Sequence, residues 1–249
     1  MNTFSPEVAY LTVIIPVYNE EESLPRVFNE VTQFINYPDK RVEILFVNDG
    51  STDNSQEIIK EICTQSSPFH FIELQNNSGL SAALKAGIDF CSSPFIGYID
   101  ADLQTSPMEF MELMRYCESY EMVTGIRQNR KDSSTKVISS RVANTMRKWI
   151  TNDGVSDTGC PLKILQRQTA KRIPFFKGMH RFLAALVLLQ KGRVKEVPVT
   201  HYERIEGEAK YHFWNRLLGP FTDLIAFAWI KRRYINYKIK SSDLTLVKN

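Results

Sequence analysis

The segment IDADLQ places Asp100 and Asp102 two residues apart at the end of an apolar stretch, with Gln104 two further on. If a strand runs through them, its alternation puts all three side chains on one side. Two carboxylates that close repel, and one pKa rises unless a cation lies between them. Hard oxygen ligands of this kind suit Mg²⁺ or Mn²⁺, especially beside a diphosphate that completes the shell. An Asp-x-Asp pair is a weak signal alone. SPMEF follows and begins a helix, so the acids could equally serve a solvated turn or a helix cap.

Two further polar clusters end apolar runs. In PVYNEEES, Tyr18 and Glu20 could face a ligand, or Asn19 could cap a helix whose first turn the three glutamates favour. In VNDGSTD, Ser51, Thr52 and Asp53 suit an Asx turn and a helix cap as well as a polar site.

These clusters need elements to carry them. LTVIIPVYN reads as a buried strand stopping at Pro16. EEESLPRVFNEVTQFI follows as an amphipathic helix, with Leu24, Val27, Phe28, Val31 and Ile35 near helical spacing. VEILFVND, FHFIELQ and FIGYIDADLQ read as strands, with SQEIIKEICTQ and LSAALKAGIDFC as the intervening helices. Such alternation predicts an α/β fold with a mostly parallel sheet. Ligands bind beyond the carboxyl ends of such strands, and the three acidic clusters fall at that edge. Later, RFLAALVLLQKG reads as a buried helix and RVKEVPVTHYER as a strand.

Charge is divided unevenly along the 249 residues. Residues 1–125 hold 6 Lys+Arg against 19 Asp+Glu, whereas residues 126–249 hold 25 against 9. A basic half suits an anionic partner such as phosphates, nucleic acid or lipid headgroups. Arg127, Arg130, Lys131, Lys136, Arg141, Arg147 and Lys148 crowd one stretch with Asp132 as its lone acid. By itself that stretch reads as a solvated helix face or an anion site. Nucleic acid is disfavoured, since the stretch lacks interleaved aromatics for stacking. The four cysteines, Cys63, Cys91, Cys117 and Cys160, are scattered without a CxxC pair, which disfavours a disulfide framework or structural zinc. His180, His201 and Cys160 read as structural. The N-terminus shows no signal-peptide pattern, and no window reaches the ~18–20 apolar residues of a membrane span.

Taken in order, the motifs become specific. P-x-Y-N-E, N-D-G-S-x-D, the Asn77, Gly79, Ala83, Gly87 series and D-A-D-x-Q together resemble the inverting family 2 glycosyltransferases of the GT-A fold. The resemblance spans residues 11–215. It implies a Rossmann-like, mostly parallel sheet flanked by helices, a nucleotide-diphosphate sugar donor, a divalent metal (Mg²⁺ or Mn²⁺) and inversion at the anomeric carbon. TGIRQNR, SSRVANTMRK, DTGCPLKILQR and HYERIEGEAKYHFWNR further resemble the branch that transfers sugars to polyprenyl phosphates, such as dolichyl-phosphate mannose synthases and bacterial undecaprenyl-phosphate glycosyltransferases.

Carried over by position, the resemblance implies a nucleoside pocket lined by Pro16, Tyr18, Glu20, Val47 and Asp49. It implies that Asp100, Ala101, Asp102 and Gln104 hold metal and diphosphate, with the two aspartates and Gln104 as metal ligands. Arg127, Arg204 and Lys210 would lie on donor or acceptor phosphates, making Asp102, Arg127 and Arg204 the catalytic group. Arg130, Ser140 and Arg141 are the further acceptor-phosphate candidates. Two departures stand out. Asn48-Asp49 replaces the common Asp-Asp, leaving Asp49 for the base or ribose and the base itself open. RIEGEAKY carries Ala209 where relatives commonly have serine, with Gly207 as a hinge candidate.

We divide the chain into a glycosyltransferase domain, 1–212, and an amphipathic basic tail, 213–249. In the tail Trp214, Leu217, Leu218, Phe221, Leu224, Ile225 and Ala228 follow helical spacing, then Trp229 and Lys231, Arg232, Arg233; Pro220 should start or kink the helix. Packing on the domain or a second subunit, and docking on a membrane surface, both fit the pattern. A lipid-phosphate acceptor implies a peripheral enzyme on the cytoplasmic face of the inner membrane. The rival acceptor is a glycan hydroxyl, with Asp157 as its candidate base. A non-catalytic sugar-nucleotide or lipid binder is disfavoured by the intact Asp100, Asp102 and Gln104. A dinucleotide-binding dehydrogenase is disfavoured because no G-x-G-x-x-G follows the first strand.

Overall fold

The computed structural model describes residues 8–65, 67–128, 150–202, 215–237 and 240–241, with the backbone alone at 65 and 215–221. Strand β1 (Leu11–Val17) pairs in parallel with β2 (Val42–Asn48) on one side and β4 (Phe95–Tyr98) on the other. β3 (Phe69–Glu73) extends the sheet beyond β2. β5 (Met122–Gln128) and β7 (Val194–Thr200) pair in parallel, and β6 (Lys163–Gln166) joins β4 to β5 antiparallel to both. The seven-stranded order is β3-β2-β1-β4-β6-β5-β7, a mostly parallel α/β sheet with β6 reversed.

Both faces are covered. Leu11, Val13, Ile15 and Val17 enter one core with Val27, Val31 and Phe34 of α1 (Leu24–Ile35) and Ile59 of α2 (Ser55–Gln65). Ile14 enters the other, with Ala83, Leu84 and Ile88 of α3 (Leu80–Phe90). Burial on both faces is why β1 reads as an unbroken apolar run.

Pro16 does not end β1; it pairs opposite Val47, and the strand runs on to Val17. The Ile14 carbonyl accepts from Ile99 on the β4 side, and the Val17 carbonyl accepts from Asp49 on the β2 side. Alternation therefore aims the Pro16 position toward β4, whose pairing has already ended at Ile14↔Tyr98. Its missing N–H costs the ladder nothing there. Asn19 does not cap α1; Ser23 holds that position, and Asn19 adopts a positive φ of 50° in the loop. β4 likewise stops at Tyr98, so Asp100 and Asp102 sit on a turn beyond the strand.

SPMEF forms a 3-10 turn, Pro107–Glu109, capped by Ser106 and followed by the short α4 (Phe110–Met114). After β6 comes α5 (Arg167–Lys171); a 3-10 turn, Met179–Phe182, then leads into α6 (Leu183–Leu189), the buried helix expected from RFLAALVLLQKG. The last helix, α7 (Asn215–Arg233), runs through Pro220. It lies on the body through buried Leu224 and Phe227, with the Phe227 ring stacked on Phe182 at 5.2 Å between centroids. Its inward face differs from the expected stripe, because Ile225 points to solvent and Phe227 inward. Among the described residues no helix is long and apolar enough to cross a membrane.

Candidate active site

The carboxyl ends of β1, β2, β4 and β5 share one rim because these strands run the same way. The loops after β1 and β2 are laced together. Asn19 Oδ1 accepts from the Thr52 N–H at 2.7 Å, and the Asn19 N–H donates to Ser51 Oγ at 3.0 Å. The Glu21 N–H donates to Asp53 Oδ2, while Glu21 Oε2 accepts from the Asn54 N–H. Glu20 accepts from the Ser23 hydroxyl, and its own N–H donates to Ser55 Oγ. Tyr18 is half-exposed on this rim.

Asn48 makes the Asx turn expected in VNDGSTD, its Oδ1 accepting from the Ser51 N–H at 3.0 Å. Its amide donates to Gln56 Oε1 at 2.6 Å, a bond that an aspartate there could not supply. Asp49 is buried, and its two oxygens accept from the Ser78 and Gly79 N–H groups, each at 2.8 Å. It thus holds the loop leading into α3, a positioning role that its place in the motif does not reveal. Val47 is sealed in the core beside Ala83 and Leu84, so its side chain lines no pocket. Ala101 is also buried, and Pro16 is half-exposed.

Asp100 and Asp102 are partly buried on the turn after β4. Burial, and then the charge of Asp102, push the Asp100 carboxyl up to about 6, although a 2.5 Å bond from the Tyr98 hydroxyl and the nearby Lys163 and Arg127 favour its ionised form. Asp102 Oδ1 accepts from the Gln104 N–H at 3.2 Å, and the Gln104 carbonyl accepts from the Tyr202 N–H at 2.9 Å. That second bond ties the turn to the end of β7. The His201 Nδ1 nearby is buried without a hydrogen-bond partner among the described residues. Among the described residues no three His, Cys, Asp or Glu side chains converge on a metal position, so the two aspartates are the ionisable pair available.

β6 brings in what the motifs did not show. Because it runs antiparallel, the segment preceding it arrives at the same rim. Arg127 on β5 meets Asp157 there in a two-point ion pair, Nε–Oδ2 2.7 Å and Nη2–Oδ1 2.8 Å. Asp157 is placed in turn by its N–H donating to Glu196 Oε1 at 3.2 Å. Lys163, at the start of β6, is buried opposite Tyr98, its ammonium 5.9 Å from the ring; burial lowers its pKa. DTGCPLKILQR contains both Asp157 and Lys163, but nothing local in it marks the lysine as a neighbour of Asp100. Cys160 packs in the core as expected. His180 shares a 2.9 Å bond with the Ser81 hydroxyl, and burial drives its pKa down to about 3. Arg130, Ser140, Arg141, Arg204 and Lys210 lie outside the described residues.

A sequence profile described as glycosyl transferase family 2 matches residues 12–182, more than half of the chain. Among solved structures, glucosyl-3-phosphoglycerate synthase from Mycobacterium tuberculosis, in complex with Mn²⁺, UDP and glucosyl-3-phosphoglycerate, superposes with a TM-score of 0.69 at 15% identity. That match covers 92% of this chain and 81% of the other. A mannosyltransferase from Pyrobaculum calidifontis, in complex with GDP-mannose and Mn²⁺, gives a TM-score of 0.64 at 16% identity, covering 93% of this chain and 66% of that one. The fold is therefore shared with both, and on its matched profile the chain belongs to glycosyl transferase family 2.

Proposed function

We propose that this glycosyltransferase moves a sugar from a nucleotide-diphosphate donor to a polyprenyl phosphate, with inversion, on the cytoplasmic face of the inner membrane. Residues 1–212 would form the catalytic domain and 213–249 the segment that meets the membrane. The observation that carries the acceptor class is the Arg127–Asp157 pair. A hydroxyl acceptor needs a general base, and both oxygens of the candidate, Asp157, accept from the Arg127 guanidinium. A phosphate acceptor is already ionised near neutral pH and needs no such base, so an Asp157 held by Arg127 is compatible with it.

The residues on the rim fit a divalent cation. The charge of Asp102 raises the cost of ionising Asp100, and a divalent cation held by the two would remove that cost. Two carboxylates leave the rest of an oxygen shell to the diphosphate and water, as Mg²⁺ and Mn²⁺ sites commonly do. When bound, the metal would offset charge developing on the leaving nucleoside diphosphate. Support for a metal and a UDP- or GDP-linked donor comes from the similar folds solved with Mn²⁺ and UDP-glucose or GDP-mannose. In the proposed step an acceptor phosphate oxygen forms the new bond to the anomeric carbon as the bond to the nucleoside diphosphate breaks on the opposite face. Asp49 would act by holding the Ser78–Gly79 turn. Tyr18, Glu20 and Pro16 would border the nucleoside, and Val47 would contribute backbone only. Arg204 and Lys210 would close on the phosphates, with Arg130, Ser140 and Arg141 receiving the acceptor.

The test is transfer of radiolabelled sugar to undecaprenyl phosphate from a panel of UDP- and GDP-sugars, with and without Mn²⁺ or Mg²⁺. Metal-dependent label in the organic phase supports the reading and names the donor. Donor consumption with label only in an added glycan would move the acceptor to a hydroxyl.

A further inference from the structure

Exposed large apolar side chains are concentrated at the end of the described chain. Ile225 is 56% exposed, Trp229 65%, Ile235 79% and Tyr237 80%. Such a cluster needs a reason, because isolated exposed apolar residues are ordinary and clustered ones mark contact surfaces. Helix α7 is not a loose tail. Leu224 and Phe227 are buried against the body, and Asp223 bonds Arg181 at 2.7 Å. The Lys231 ammonium donates to the Ile150 and Thr151 carbonyls at 3.0 and 3.3 Å.

With 223, 224 and 227 turned inward, and the exposed Lys231 reaching back to the body through its ammonium, helical spacing turns 225, 229, 232 and 233 outward. The outward face therefore carries Ile225 and Trp229 together with Arg232 and Arg233, both exposed. Lys231, read from sequence as part of one basic run, is committed to the body, so the two arginines carry the outer charge. Between Asp223 and Asp243 there is no acidic residue, and Lys238 and Lys240 add further positive charge.

We infer that this outer face of α7, continued through Ile235 and Tyr237, docks on anionic phospholipid headgroups with Trp229 and Ile225 in the acyl boundary. The occupant follows from the chemistry of the patch. An indole and an aliphatic side chain flanked by arginines suit the interfacial layer, where rings sit at headgroup depth and cations meet lipid phosphates. The inference deepens the polyprenyl-phosphate reading and rests on it for its purpose, since that acceptor cannot leave the bilayer. It also supplies an orientation. Phe227 stacks on Phe182, two residues from His180, which bonds Ser81 at the start of α3. A docked α7 thus holds the donor-side loop at a set angle to the membrane.

The experiment is flotation of the full chain with vesicles of phosphatidylglycerol and phosphatidylcholine, against phosphatidylcholine alone. The inference expects binding to the anionic vesicles, loss at high salt, and a fall of about fivefold in partitioning for each of Arg232→Ala and Arg233→Ala. Trp229→Ser should release the protein while its circular dichroism and melting stay as in the parent. Absence of anionic-vesicle binding, or binding that none of these changes lowers, overturns the inference. So does a dimer in light scattering that Trp229→Ser dissociates, which would assign the face to a second copy. A short-chain, water-soluble prenyl phosphate separates the two readings. Transfer to it without vesicle binding keeps the acceptor and rejects the docking. Vesicle binding without any prenyl transfer keeps the docking and rejects the acceptor.

Discussion

Arg127 and Asp157 are locked face to face, with 12% and 11% of their side chains exposed and two parallel hydrogen bonds of 2.7 and 2.8 Å between them. Removing one member strands the other's charge in a poorly solvated place. Asp157→Ala should lower the unfolding free energy by about 3 kcal/mol, measured in urea. The Arg127→Met, Asp157→Ala double variant should recover part of that loss, which a cycle of the two singles would show. Should Asp157→Asn keep full stability and abolish transfer only to hydroxyl acceptors, Asp157 would be a base and the phosphate reading would fall.

Asp100 gives a prediction with a definite sign. Its carboxyl is pushed up to about 6 from an ordinary value of 3.8. The folded state therefore disfavours the ionised form, a cost present in full above pH 6 that disappears as pH falls toward 4. Metal-free protein should gain stability from this group on acidification across that window. Mn²⁺ needs the ionised pair, so its stabilising shift in melting temperature should shrink over the same range. Asp100→Asn should remove the Mn²⁺ shift altogether while melting no lower than the metal-free parent at pH 7.5; a retained shift would place the metal elsewhere.

Asp49 should behave as a structural clamp. Asp49→Ala leaves the Ser78 and Gly79 N–H groups without their acceptors, a loss of about 2–4 kcal/mol for two buried donors. Asp49→Asn keeps one acceptor oxygen and should cost about half of that. If both variants retain stability and lose only donor affinity, Asp49 contacts the nucleoside directly.

Gly50 and Gly87 should both resist alanine, for different reasons. Gly50 has a φ of +66°, and an added Cβ would lie 2.6 Å from backbone atoms of Asn76 and Asn77. Gly50→Ala should therefore cost more than about 2 kcal/mol, since neither chain can give way. At Gly87 the added Cβ meets Cδ1, Cγ2 and Cγ1 of the fully buried Ile14 at 2.7, 2.9 and 3.0 Å, so Gly87→Ala overpacks that core by about 1–3 kcal/mol, without the backbone strain present at Gly50. Thermal melting of the two variants checks both losses.

On α7 the same contrast separates packing from surface. Phe227→Ala should destabilise by about 3–5 kcal/mol, the range for a buried aromatic. Trp229→Ala should fall within about 0.5 kcal/mol of the parent, because most of that ring is in solvent. Equal losses would mean that α7 sits the other way round.

The sequence by itself determined β1 to β4 with their helices, and the rim where the acidic clusters meet. Those are local patterns: an apolar run, an amphipathic helix and a polar turn each declare themselves within a dozen residues. Tertiary structure alone decided the rest. β6 enters between β4 and β5 against the direction of both, and that pairing sets Lys163 beside Asp100 and Asp157 against Arg127. Strand pairing between distant segments leaves no local periodicity to read, so DTGCPLKILQR showed its residues but not their neighbours. Asp49 was legible as a motif residue, yet its partners depended on where the Ser78–Gly79 loop came to rest. The stripe on α7 was legible as helical, but several stripes of that helix are apolar. The surface around Phe182 selected Leu224 and Phe227 for the inside and left Trp229 and Ile225 to solvent, because it offers the Phe182 ring for Phe227 and the Arg181 guanidinium for Asp223 to meet.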